Sequence, residues 1–205
     1  VHAGVRKHAI LLAESRLQAE PELLEALLTA TSDPDPLINL QLAFSLGYSR
    51  DRRALSGLAD IARNFARDQW IRTAVLSSVN ELADRLFAEL FADRDFIASS
   101  SGRKLLQDLL EIVGSRGKPQ EVRRVLTVMA EGQESDERDG LALIASLGEA
   151  LRRAGKSLFD DFSENPDHSA HLNRLSRVAG RLAGDKDSEI PTREEAIRVL
   201  GLSKF

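Results

Sequence analysis

The chain contains no cysteine, one methionine, one tryptophan and one tyrosine among its 205 residues, and only 5% of it is aromatic. Without thiols there is no disulfide, no thiolate metal site, no covalent haem attachment and no cysteine nucleophile within these residues. So few aromatics leave little with which to stack nucleic-acid bases. Neither sign of charge dominates: 28 Lys and Arg face 32 Asp and Glu, for a formal net charge of -4, which disfavours a general polyanion binder. No run approaches the roughly 18 consecutive apolar residues of a membrane span. Neither a Gly-x-x-x-x-Gly-Lys-Ser/Thr phosphate loop nor a Gly-x-Ser-x-Gly elbow occurs. The sequence opens Val1-His2-Ala3-Gly4 without methionine and reads as a segment of a longer chain, so the lack of a leader says nothing about compartment.

What is present is ordinary for a globular chain, with 42% hydrophobic and 29% charged residues. Apolar residues recur at helical intervals. Leu55, Leu58, Ala62 and Phe65 form one stripe, and Val122, Val125, Leu126 and Met129 another. Leu105, Leu106, Leu109, Leu110 and Val113 make a third, and Leu172, Leu175, Ala179 and Leu182 a fourth. No window alternates with the period of two that a half-buried strand requires. With breaks taken at the prolines and glycines, helices are predicted over 3–14, 21–30, 36–47, 51–66, 69–79, 81–92, 101–115, 119–131, 137–154, 168–183 and 192–201. The expected class is all-α.

The chain also repeats itself. Val5, Ile38 and Ile71 each open a similar apolar helix, at two equal intervals of 33 residues. Looser echoes run from Arg138 to Gly148 and from Arg193 to Gly201. The turn Ser32-Asp33-Pro34-Asp35-Pro36, the pair Ile38-Asn39, Ala43 and Leu46-Gly47 together resemble a HEAT repeat, as do Val5-Arg6 with Ala9 and Ile71-Arg72 with Ala74. Physically, Pro36 suits the first helical position and the aspartates cap the helix. The small alanines permit close helix approach, and Gly47 suits a left-handed helix end. Asn39, standing where arginine is usual, breaks the basic ladder of such repeats. The resemblance implies one α-α superhelix over 1–205, a solenoid of about five antiparallel helix pairs. Its repeats are regular over 1–92 and divergent over 93–205, with an irregular insertion at 155–167.

Val5 to Ala9, residues 32–36 and the run Asp68 to Ser78 carry a narrower resemblance, with Arg103 to Val113 and Gly117 to Val122 fitting the same pattern. They are similar to the HEAT segment of large bacterial proteins of the membrane-bound dehydrogenase type, in which a β-propeller precedes it and a c-type haem domain follows. That resemblance implies a non-catalytic spacer in an exported, periplasmic redox protein. Haem would then lie elsewhere in the parent, with no cofactor in this chain.

Candidates for chemistry are sparse. His168 and His171 stand three apart at a helix start, a spacing open to metal ligation, but no third ligand shares their register, so they read as exposed helix-start histidines. Asp60, Asp84, Glu89, Asp93, Asp95, Asp160 and Asp161 read as solvated carboxylates, and Ser99 to Gly102 as a helix cap. Arg174, Arg177 and Arg181 share a helix face, and Arg123 and Arg152 lie on neighbouring helices; together they form a candidate basic surface, against a reading of solvated charge balanced by acids. Trp70 reads either as a partner anchor or, preferably, as packing between repeats. The expected role is a protein-interaction scaffold, whose partner is another protein or a neighbouring domain. The alternative is a HEAT-like nucleic-acid binder or DNA glycosylase using Trp70, Asp68 and the Arg174 stripe. A helical accessory subunit with an apolar cofactor pocket is a second alternative.

Overall fold

The computed structural model describes residues 2–132 and 137–202, leaving Val1 of the opening outside the described residues. Those residues form helices and no strand. The chain divides into two compact units, Val1–Leu90 and Phe91–Phe205.

In the first unit, α1 (Ala3–Glu14), α3 (Pro36–Leu46) and α5 (Gln69–Ser78) alternate with α2 (Pro21–Thr29) and α4 (Arg52–Phe65), before the 3-10 turn Asn80–Leu82 and α6 (Ala83–Phe91). The starts follow from local chemistry. The side chains of His2, Asp35 and Asp68 each accept a hydrogen bond from a backbone N–H of the first turn of α1, α3 and α5. These three caps are again 33 residues apart. Pro21 and Pro36 open α2 and α3, where a missing N–H costs nothing.

Cross-helix contacts then fix direction. Near its start, α1 sends Arg6 to Asp33, just before α3, at 2.8 Å. Near its end, Glu14 accepts from Ser45 at 2.6 Å and from Gln41 at 2.9 Å. Like ends meet like ends, so α1 and α3 run parallel. The ends of α3 and α5 meet at Gly47, where an added Cβ would stand 2.7 Å from that of Ser78. Helices α2 and α4 pack on each other, and α4 packs on α3 and α5, giving a second layer.

Three expectations need correction here. Gly47 has φ −63° and no left-handed role; its value is the close approach to Ser78, while the left-handed glycines are Gly117 at φ 57° and Gly155 at φ 74°. Val5 and Ala9 are exposed, unlike the buried Ile38, Ile71, Ala43 and Ala74, because α1 has a neighbour of its kind, α3, on one side only. Asn39 does not break the arginine pattern in function. Its Nδ2 donates to the carbonyls of Asp33 and Asp35, six and four residues back. Arg72 does the same to Ala66 and Arg103 to Ile97, each six residues back. All three stand four residues after a helix cap and tie the helix to the loop before it.

In the second unit, α7 (Arg94–Ala98), α8 (Ser100–Arg116), α9 (Pro119–Glu131), α10 (Glu137–Arg153), α11 (Leu158–Asp161), α12 (Pro166–Gly184) and α13 (Ile190–Leu200) follow in order. The short α7 and α11 are additions to the predicted helices, and α11 falls in the expected irregular insertion, anchored by buried Leu158 and Phe162. Near their starts α8 and α10 are joined by Arg103 and Asp139 at 3.3 Å; near their ends Gly114 lies against Ala150. Arg138 and Glu189 at 3.6 Å join the starts of α10 and α13, and Glu149 and Arg198 at 2.7 Å join their ends. Hence α8, α10 and α13 also run parallel, with α9 packed on α12 beside them.

Gly114 sets the spacing of that layer. A Cβ there would stand 2.6 Å from the Cβ of Ala150 and 2.8 Å from the Leu147 carbonyl, which cannot rotate away. Gly114→Ala is therefore expected to destabilise by at least about 1 kcal/mol despite alanine's better helix propensity, read as a lower urea midpoint at unchanged slope.

Candidate interaction surface

The eleven residues of α3 include no charged side chain and are apolar nearly all round. A helix of that kind is normally enclosed on every side. Here Ile38, Asn39, Leu42, Ala43, Ser45 and Leu46 face inward, but Leu37 is 58% and Phe44 41% exposed. On the parallel neighbour α5, Trp70 is 66% exposed. Leu37 and Trp70 occupy the same position of their helices, two residues after the caps Asp35 and Asp68. On α1, Leu11, in register with Phe44, is also exposed.

The polar groups of this face are hydrogen-bonded within the molecule. Thr73 donates to the Gln69 carbonyl at 2.9 Å and Ser77 to the Thr73 carbonyl at 2.7 Å. Arg72 is bound to the Ala66 carbonyl at 2.7 Å, and Gln41 to Glu14. The preferred sequence reading of Trp70, packing between repeats, is thus overturned. Its position two residues after the cap points it away from the core that Ile71 and Ala74 enter.

Leu37 and Phe44 were not singled out by sequence. The available signals were an uncharged α3 and the 33-residue register linking Leu37 to Trp70.

The predicted basic residues belong to the second unit. Arg174, Arg177 and Arg181 lie along α12, and Arg123 lies on α9, which packs on α12. Arg152 stands apart from that seam, near the end of α10, where it and Arg153 help hold Glu149 below the usual carboxylate range, an effect led by the hydrogen bond from Arg198. Acids interleave the seam. Arg123 approaches Glu164 at 3.7 Å, and an open cleft of about 460 Å³ carries Glu131 and Asp167 beside Arg174 and His171.

The two histidines are buried, not exposed: His168 is 2% and His171 5% accessible. α9 packs on α12 and sets Thr127 against His168. Thr127 gives its one hydroxyl proton to the Arg123 carbonyl at 2.9 Å, so His168 donates from Nε2 to Thr127 Oγ1 at 2.8 Å. Burial lowers the His168 pKa against the opposing pull of Asp167. Burial, then the charges of Arg174 and His168, push His171 down to about 4. Both imidazoles are neutral at pH 7. Among the described residues no group of three or more His, Asp or Glu is arranged to hold a metal ion, and no helix is long and apolar enough to cross a membrane.

Comparison with protein-family models, with curated proteins and with solved structures finds no match to this chain.

Proposed function

We propose that this chain is a protein-interaction scaffold, a solenoid of HEAT-like helix pairs whose second helices offer a surface to a partner. The observation that carries this reading is the exposed, uncharged face of Leu37, Phe44 and Trp70 on two parallel helices. Scattered exposed apolar residues are normal, but contiguous apolar faces on ordered helices mark docking sites. The repeat part of the reading draws on the 33-residue interval of the caps and on the parallel layers within each unit. Stacked units of this kind bury a continuous seam and leave one long face for binding.

On the narrower resemblance, the chain serves as the spacer between a propeller and a c-type haem domain of an exported parent. A Cys-x-x-Cys-His motif downstream in the parent gene supports that placement, and its absence removes it.

Nucleic-acid binding is the competing reading, and the acids among the α9 and α12 arginines weigh against it. Fluorescence anisotropy with labelled duplex DNA separates the two. The expected result is no saturable binding at about 100 mM salt. Micromolar binding at low salt that collapses as salt rises contradicts the scaffold reading and implicates Arg123, Arg174, Arg177 and Arg181.

A further inference from the structure

The dimensions and chemistry of the α3 and α5 face define what fits it. We infer that its occupant is a short amphipathic helix of a separate partner protein, docked along α3 and α5 by three apolar side chains at positions i, i+3 or i+4, and i+7. This inference rests on the scaffold reading and names the kind of partner.

Area weighs against the simplest rival. With roughly 150–250 Å² for a whole aromatic side chain and somewhat less for leucine, the exposed parts of Leu37, Phe44 and Trp70 total roughly 300 to 400 Å². A stable homodimer needs about 800 Å² from each subunit, so a second copy seated on this face alone falls well short. The same area matches a two- to three-turn helix contributing a few buried side chains.

Spacing selects a helix. Leu37 and Phe44 are seven residues apart on α3, a rise of about 10.5 Å. A partner helix lying alongside repeats that distance between its own residues i and i+7. Trp70 lies on the adjacent helix at the level of Leu37, across an interaxial gap of about 8–10 Å. It supplies the large rigid anchor, and partner residue i+3 or i+4 fills the space between the ends of the row. Chemistry adds a constraint: the exposed residues of α3 and α5 are Pro, Leu, Phe, Trp, Gln, Thr and Ser, and the Thr73 and Ser77 hydroxyls are bonded to their own helix. The docked face of the partner must therefore be uncharged, because a charge there would lose water and gain no counter-ion.

The test uses the full chain and a displayed library of twelve-residue helical peptides, with apolar residues fixed at i, i+4 and i+7, beside a scrambled-spacing library. Enrichment of the patterned library is expected, with selected peptides shifting the emission of Trp70, the one tryptophan, to the blue. Leu37→Asp should weaken the selected peptide at least tenfold while leaving the far-UV circular dichroism unchanged, since a carboxylate in the first turn of α3 suits the helix dipole. Phe44→Gln is the second variant, and calorimetric titration of Trp70→Ala gives a readout independent of fluorescence.

Equal enrichment of the scrambled library overturns the inference. So does a blue shift produced by raising protein concentration alone, which assigns the face to a second copy, or by phosphatidylcholine vesicles, which assigns it to lipid. Selected peptides that bind both variants undiminished overturn the α3 and α5 site while leaving the scaffold reading intact. Salt-sensitive DNA binding, by contrast, removes the scaffold reading itself.

Discussion

Lowering the pH from 7 to about 4 is expected to remove about 3 kcal/mol of stability from the second unit, the contribution of buried His171, with His168 acting in the same direction. His171 is held at about 4 and His168 is also lowered, in both cases first by burial. In the unfolded chain both return to about 6.5. As pH falls below 6.5 the unfolded chain takes up protons that the folded chain refuses, and unfolding gains ground. The contribution is fully present above pH 6.5 and lost as pH falls through about 4.

The depressed carboxylates act lower down. Asp33, Asp51, Asp185 and Glu149 are each held below their usual range by hydrogen bonds, so the stability they add is lost below about pH 4, beneath the histidine window. Urea midpoints by circular dichroism at pH 7.5, 6, 5 and 4.5 check the prediction; Trp70 emission would not, because that ring is 66% exposed and in the other unit. His171→Leu should flatten the fall between pH 6.5 and 4.5. An unchanged slope in the variant contradicts the assignment.

The second large effect is expected at Asn39. Its side chain is wholly buried and donates to the carbonyls of Asp33 and Asp35. Asn39→Ala takes this donor from the Asp33 carbonyl, while the Asp35 carbonyl keeps the backbone N–H groups of Ile38 and Asn39, and it empties the buried space of the side chain, at a cost of about 1 to 2 kcal/mol. Exposed asparagine-to-alanine changes usually stay within about 0.5 kcal/mol. A urea midpoint barely moved by Asn39→Ala would show that the tie between α3 and its preceding turn carries little energy.

The long helices could be read from the sequence because each carries an apolar stripe of sufficient length and a recognisable start. Val122, Val125, Leu126 and Met129 are all buried, and α9 runs over Pro119–Glu131, the expected span. The five-residue α7 and four-residue α11 are too short for a helical period to emerge. What failed was the inference from residue type to environment. Histidine is amphipathic, so nothing local distinguished a buried His168 from a solvated one; Thr127, 41 residues away, decides it. Trp70 was misplaced for the opposite reason, since large aromatic area usually means burial. The direction its side chain takes depends on its offset from Asp68, which composition does not weigh. The arginines of α12 are exposed, and of the acids near this surface Glu131, in the cleft with Arg174, and Glu164, which approaches Arg123, come from other segments that the spacing on α12 does not report.

The central claim is that equivalent helix pairs are stacked at a 33-residue interval, and deleting one interval tests it most directly. Removal of residues 36–68 joins Asp35, the cap of α3, to Gln69, the first residue of α5, so that one aspartate cap replaces another. In a stack of interchangeable pairs the shortened chain still folds cooperatively. Its mean residue ellipticity should match that of the parent, and its urea slope should fall by about one sixth, the share of 33 residues in 205. A shortened chain that loses its helical signal or its cooperative transition would contradict the account, because it would mean that the helices form one irreplaceable core.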